Sequence, residues 1–168
     1  LFMSCALYKR KGFGLVEIVV AIGIVTGALF ASAVLVKMAS QAIRRTAQSE
    51  QGIFLAQEGM EVVRLLRDMS WASNIAPLSP GTTYYPIFNT GTRTWSLSIT
   101  NPGPIVDIFT RTVSVADVYR KNADDDIVDV SALDPKTIDP GTQKITVRVS
   151  WENSAKEFST YLADVFAN

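Results

Sequence analysis

The sequence predicts an α+β fold, in which a long N-terminal helix packs on an antiparallel sheet of about four strands. Helix-forming residues dominate the chain up to about Trp71, with no proline among them. Beyond Trp71 the chain becomes rich in Pro, Gly, Ser and Thr, and apolar residues alternate with polar ones as they do in strands. The 168 residues leave room for one small domain beyond the helix.

The helix begins with a segment long enough to cross a membrane. Residues 13–36 are apolar apart from Glu17, their only charged side chain. Such a helix is about 36 Å long, which exceeds the hydrocarbon thickness of a bilayer. An ionised carboxylate is costly in lipid, so Glu17 is a candidate functional residue. Basic residues 9–11 precede the segment, and the positive-inside rule therefore predicts a cytoplasmic N-terminus.

Residues 37–71 are predicted to continue the same helix as an amphipathic segment. Apolar residues recur there at roughly helical spacing and predict one buried stripe. Gly52 and Gly59 lie within this part and are predicted to permit a bend. The predicted stripe consists of Ile43, Ala47, Phe54, Leu55, Val62, Leu66 and Met69.

Residues 72–168 are predicted to form a β-rich head. Asn74 to Pro86 has the composition of a connecting loop, and Arg120 to Asp139 is the longest stretch without regular periodicity. Four segments alternate as strands do, and Trp95, Phe109, Trp151 and Phe158 within them are expected in the core. The predicted strands are Thr94 to Ile99, Phe109 to Tyr119, Ile145 to Trp151 and Phe158 to Val165.

The junction between the basic residues and the apolar segment carries a specific motif. It runs Lys11-Gly12-Phe13-Gly14-Leu15-Val16-Glu17 and is followed by a long apolar run. This motif resembles the N-terminus of type IV prepilins and pseudopilins, the class III signal peptide. The resemblance covers about 30 residues, and Gly14 departs from it where Thr or Ser is common. It implies that residues 1–12 are a leader, removed by a prepilin peptidase that cuts between Gly12 and Phe13 and methylates Phe13.

Cleavage after Gly12 would give Phe13 a free amine that is positive at neutral pH. Phe13 and Glu17 are four residues apart and share one helix face. Glu17 would therefore pair with this amine, within one chain or between neighbouring subunits, and we expect it to act in filament assembly. Gly23 and Gly27 have the small-xxx-small spacing that lets membrane helices approach closely. The ordinary abundance of glycine in membrane helices explains the same spacing equally well.

The composition argues against an enzyme. The chain has no histidine, and its single cysteine, Cys5, lies in the predicted leader. A nucleophile–histidine pair, a phosphate-binding glycine loop and a Cys or His metal set are all absent from the sequence, so no cofactor is expected. Lysine plus arginine equals aspartate plus glutamate at 16 each. Loss of the leader would leave a small acidic excess, which predicts no specific nucleic-acid binding.

One acidic stretch has some features of a calcium loop. Asn122, Asp124 and Asp126 place oxygen ligands at every second position. Ile127 stands where a helix-loop-helix calcium motif needs its turn glycine, and Leu133 stands where it needs a bidentate glutamate. We therefore favour a solvated acidic loop with no metal, and an irregular calcium site is the alternative.

These observations predict a structural subunit of a type IV pilus or related filament, most simply a minor pilin. Its expected partners are other pilin subunits, the prepilin peptidase, the inner-membrane assembly platform and the membrane itself. We expect a single-pass protein of the cytoplasmic membrane whose head lies outside and joins a surface or periplasmic filament. The alternatives are a type II secretion or competence pseudopilin, and a membrane-anchored binding module that never polymerises.

Overall fold

The computed structural model describes residues 14–164, and its first element, helix α1, spans Leu15–Met69. The predicted long helix is thus confirmed. It ends two residues before Trp71 because Ser70 has an extended backbone and its hydroxyl caps the next helix, α2 (Trp71–Asn74), by accepting from the Ser73 N–H. The Asn74 side-chain amide in turn donates to the Leu66 carbonyl and satisfies one acceptor at the end of α1.

The sheet has six strands, all of them antiparallel to their neighbours. Their order is β2-β1-β3-β5-β6, and the short β4 pairs with β3. This arrangement confirms the α+β class. The strands are β1 (Thr83–Asn89), β2 (Thr94–Ser98), β3 (Thr110–Lys121), β4 (Ile127–Val128), β5 (Lys136–Trp151) and β6 (Ser154–Ala163).

The predicted strands were found, but two segments assigned to loops also contribute to the sheet. The predicted loop from Asn74 to Pro86 contains the last residue of α2 and the start of β1. The predicted irregular stretch from Arg120 to Asp139 holds the end of β3, all of β4 and the start of β5. Pairing between β3 and β5 holds these ends in the sheet, although their sequence has little apolar alternation.

The chain divides into two compact units, one that ends at Thr46 and one that starts at Ala47. In the second unit, residues 47–69 of α1, here called the packed segment, lie against the sheet. Alternate residues of β3 and β5 face the helix and are buried, and the Phe109 ring packs at a tilt against Trp151 with ring centroids 5.3 Å apart. The fully buried side chains of this core include Val63, Val113, Ile145, Val147 and Val149.

Small residues rather than large ones form the centre of the packed face. A Cβ at Gly52 would lie 2.6 Å from Trp151 Cζ3, and one at Gly59 would lie 2.8 Å from Val147 Cγ1. The helix therefore approaches the sheet closely at two points one heptad apart. The chain remains helical through both glycines, and their observed role is close packing, while a bend at these positions stays a prediction.

The predicted apolar stripe was only partly right. Val62 and Leu66 are buried, but Phe54 is 68% exposed, and Ile43 and Met69 are exposed as well. Phe54 lies two residues from Ala56, which is buried, and two residues turn a helix by about 200°, onto its far side. Large apolar residues on both sides of the packed segment concealed which side faces the sheet.

Two of the four aromatic residues predicted in the core are buried, namely Phe109 and Trp151. Trp95 is partly buried and packs at the margin of the core. Phe158 is 37% exposed because β6 lies at the edge of the sheet. Its assignment to the core was wrong for this reason.

Candidate functional site

The most unusual surface of the described chain is the apolar segment of α1, residues 15–36. None of the most apolar stretch of this helix is buried, and large side chains such as Leu15, Phe30 and Leu35 are well exposed. Exposed apolar surface of this extent marks a contact with lipid or protein. By length and composition α1 is able to cross a membrane.

Glu17 lies in the first turn of α1 and is exposed. Its backbone N–H donates to the Gly14 carbonyl at 3.0 Å, which places it at the very start of the helix. A carboxylate in the first turn is stabilised by the positive end of the helix dipole. Gly12 and Phe13 lie outside the described residues, so the expected pairing of Glu17 with the Phe13 amine stays a prediction.

Gly23 and Gly27 have no neighbours in the described chain. A Cβ added at either position would meet no atom within 4 Å. Their spacing therefore serves no packing within residues 14–164 of a single chain.

The calcium candidates lie in the turn that joins β3 to β4. The Asp126 N–H donates to Asp124 Oδ1 at 3.2 Å, and the Asn122 N–H donates to the Pro135 carbonyl at 3.0 Å. All three candidate side chains are exposed. Within residues 14–164, no three His, Cys, Asp or Glu side chains converge in an arrangement that would hold a metal ion. The solvated loop therefore stays the favoured prediction, and an irregular calcium site stays the alternative.

Arg120 connects this turn to the sheet. Its Nε donates to Asp139 Oδ2 at 2.6 Å, and its Nη1 donates to the Asp125 carbonyl at 2.9 Å. Burial acts to raise the pKa of Asp139, but hydrogen bonds from Arg120, Thr142 and the Gly141 N–H outweigh it and hold that pKa below its ordinary value. Asp139 therefore stays ionised and fixes the point where the β3–β5 register shifts.

Sequence reasoning missed Arg111, a buried arginine between the packed segment and the sheet. Its Nη1 donates to Glu58 Oε2 at 2.7 Å and to the Leu55 carbonyl at 3.1 Å, and its guanidinium lies 5.5 Å from the Trp95 ring centre. The clue was present in β3, since Arg111 shares the apolar face of Phe109 and Val113. A lone arginine on a core face predicts a specific partner across the interface.

Comparison with known proteins adds no assignment, since no protein-family model, curated protein or solved structure matches this chain.

Proposed function

We propose that this chain is a structural subunit of a type IV pilus or a related filament, assembled through its N-terminal helix. The observation that carries the proposal is the division of α1 into an exposed apolar segment and a packed segment. The apolar segment offers a surface to lipid and neighbouring subunits, and the packed segment attaches the apolar segment to the head. The motif around Gly12 and Phe13 supports the same function.

In this proposal the apolar segment has two successive environments. Before assembly it crosses the cytoplasmic membrane with the N-terminus inside and the head outside. After cleavage it leaves the lipid and packs against the same segments of neighbouring subunits. Gly23 and Gly27, which leave open space around them within residues 14–164, support such packing because they let helix backbones approach closely.

Glu17 has the central role in the transfer between these environments. As the only carboxylate of residues 13–36, it is costly in lipid unless a positive group lies nearby. The Phe13 amine of the neighbouring subunit supplies that charge, and pairing with it sets how far one subunit is displaced along the next. We assign Glu17 to assembly and not to catalysis.

The first test is the processing of the chain. Coexpression with a prepilin peptidase in a bacterial host, followed by mass spectrometry, should give a chain that begins at N-methylated Phe13. A Gly12→Val variant serves as the control and should keep its leader. An intact leader on the wild-type chain, with the peptidase shown to be active on another prepilin, would rule out the proposal.

The second test separates assembly from processing. Glu17→Val should be cleaved normally but enter sheared filaments at least about tenfold less than wild type, because a charge pair in a low-dielectric core is lost. Glu50→Val is the matched control, since Glu50 is an exposed carboxylate of the same helix outside the apolar segment. Equal incorporation of the Glu17 and Glu50 variants would remove the role of Glu17. A processed wild-type chain that never enters a filament would indicate a membrane-anchored module instead.

A further inference from the structure

The loop between β4 and β5, residues 129–135, closes around one ammonium group. Lys136 Nζ donates to the carbonyl oxygens of Val130 and Ala132 at 2.5 Å each and to that of Asp129 at 3.3 Å. An ammonium has three protons to donate, and here three backbone carbonyls receive them. Its remaining side faces the Tyr119 ring, whose centre is 5.7 Å away.

Little else holds this loop in place. Ala132 is partly buried, and the other residues of the loop are exposed, with Leu133 fully so. Apolar packing therefore contributes almost nothing to its order. At the C-terminal end of the loop, Lys121 Nζ lies 3.6 Å from Asp134 Oδ2, and the Asn122 N–H donates to the Pro135 carbonyl. Neither contact involves the residues that supply the three carbonyls.

The carbonyls that face Lys136 are themselves fixed by a tight turn. The Ala132 N–H donates to the Asp129 carbonyl at 3.0 Å, and the Ser131 N–H donates to Asp129 Oδ1 at 2.9 Å. Hydrogen bonds from the Ser131 hydroxyl and N–H lower the pKa of Asp129, so its carboxylate remains an acceptor over the usual pH range. Carbonyl oxygens turned inward in this way repel one another unless a cation lies between them.

We propose that the Lys136 ammonium is the structural cation of this loop. It occupies a cage of three backbone carbonyls and supplies, from within the chain, the ordering that a bound metal ion supplies in other oxygen-rich loops. The loop is then ordered without calcium. The group that this cage binds is a primary ammonium, and the Lys136 side chain supplies it.

The test compares two lysine-to-methionine variants of the full chain in detergent micelles. Methionine retains most of the length of Lys136 but removes the charge and the donors. In Lys136→Met, amide exchange at Ser131 and Ala132 should rise about tenfold or more, as expected when charged hydrogen bonds that close a loop are lost. Lys156→Met, in β6 of the same sheet, should leave these two amides unchanged. Exchange at Val147 and Val149 reports whether the core of each variant remains folded.

A second measurement needs no variant. In the wild-type chain, the nitrogen resonance of one lysine side chain should show ammonium protons that exchange slowly with water, and protection of the loop should be the same with calcium as with a chelator. Loop protection that calcium raises and the chelator removes would assign the ordering to a metal and overturn the proposal. So would the absence of any slowly exchanging ammonium, or loop exchange in Lys136→Met no faster than in Lys156→Met.

Discussion

In the apolar segment of α1, a Cβ at Gly23 or Gly27 would meet no atom within 4 Å, whereas one at Gly52 would lie 2.6 Å from Trp151. Both pairs of glycines lie in one helix, four and seven residues apart respectively. Gly52 and Gly59 pack against the sheet of the same chain, whereas Gly23 and Gly27 pack against nothing in residues 14–164. One helix therefore carries two kinds of surface, one that packs on the sheet and one that is open within the described part of the chain.

The largest expected effect tests this difference between the glycines directly. Gly59→Ala should lower the free energy of unfolding of the head by about 2 kcal/mol, because the new methyl group would overlap Val147 and the Arg111 side chain. Gly27→Ala should leave it within about 0.5 kcal/mol, since the site is open. Thermal unfolding of the full chain in detergent, followed by near-UV circular dichroism, measures both.

Filament incorporation of the same two variants, Gly59→Ala and Gly27→Ala, tests the difference between the two pairs of glycines further. If Gly27 packs against a neighbouring subunit, its alanine variant should be stable yet incorporated less. Equal stability of the Gly59 and Gly27 variants would show that the close approach of helix and sheet tolerates a methyl group, and the distinction between the two interfaces would fail.

A smaller effect is expected from Arg111, the buried arginine of β3 that contacts the packed segment. Arg111→Met should destabilise the head by about 1–2 kcal/mol, because two hydrogen bonds across the helix–sheet interface are lost while the apolar stem is kept. Arg148→Met, on the exposed face of β5, is the control and should change little. Chemical denaturation of the three proteins gives the comparison, and a neutral Arg111 variant would contradict a specific role for this contact.

The smallest effect concerns the solvent-facing side of the packed segment. Glu61 and Arg64 form an ion pair 2.6 Å apart, but both side chains are largely exposed. Glu61→Ala should therefore change the free energy of unfolding by less than about 0.5 kcal/mol, measured in the same denaturation experiment. A larger loss of stability would mean that this side of the helix is also covered in the folded chain. The two sides of the packed segment would then differ less in burial.

The sequence was sufficient for the long helix and the strong strands, because their periodicity is local. The long helix that ends at Met69 and the strand that ends at Trp151 both follow from patterns in the sequence. The face of the packed segment could not be predicted, because Phe54 and Val62 are equally apolar and only contact with the sheet separates them. The position of Gly52 could not be predicted either, because glycine carries no hydrophobic signal and yet Gly52 lies at the centre of the interface.

The candidate functional residues also differ in how readily the sequence reveals them. Glu17 stands out in the sequence because one charge interrupts an apolar run. Lys136 does not, since its environment is made of backbone carbonyls that any residue could supply. Arg120 and Asp139 are 19 residues apart, and only the pairing of β3 with β5 brings them together. Interactions that depend on tertiary pairing leave little trace in local patterns.

The contact between Gly52 and Trp151 also has a consequence for the order of folding. The two residues lie about 100 positions apart, and contacts of such long sequence separation form late and slowly. Because synthesis proceeds from the N-terminus, the packed segment is made long before β5, the strand that packs on it. The apolar face of that segment can therefore contact β5 only after nearly the whole chain has been made.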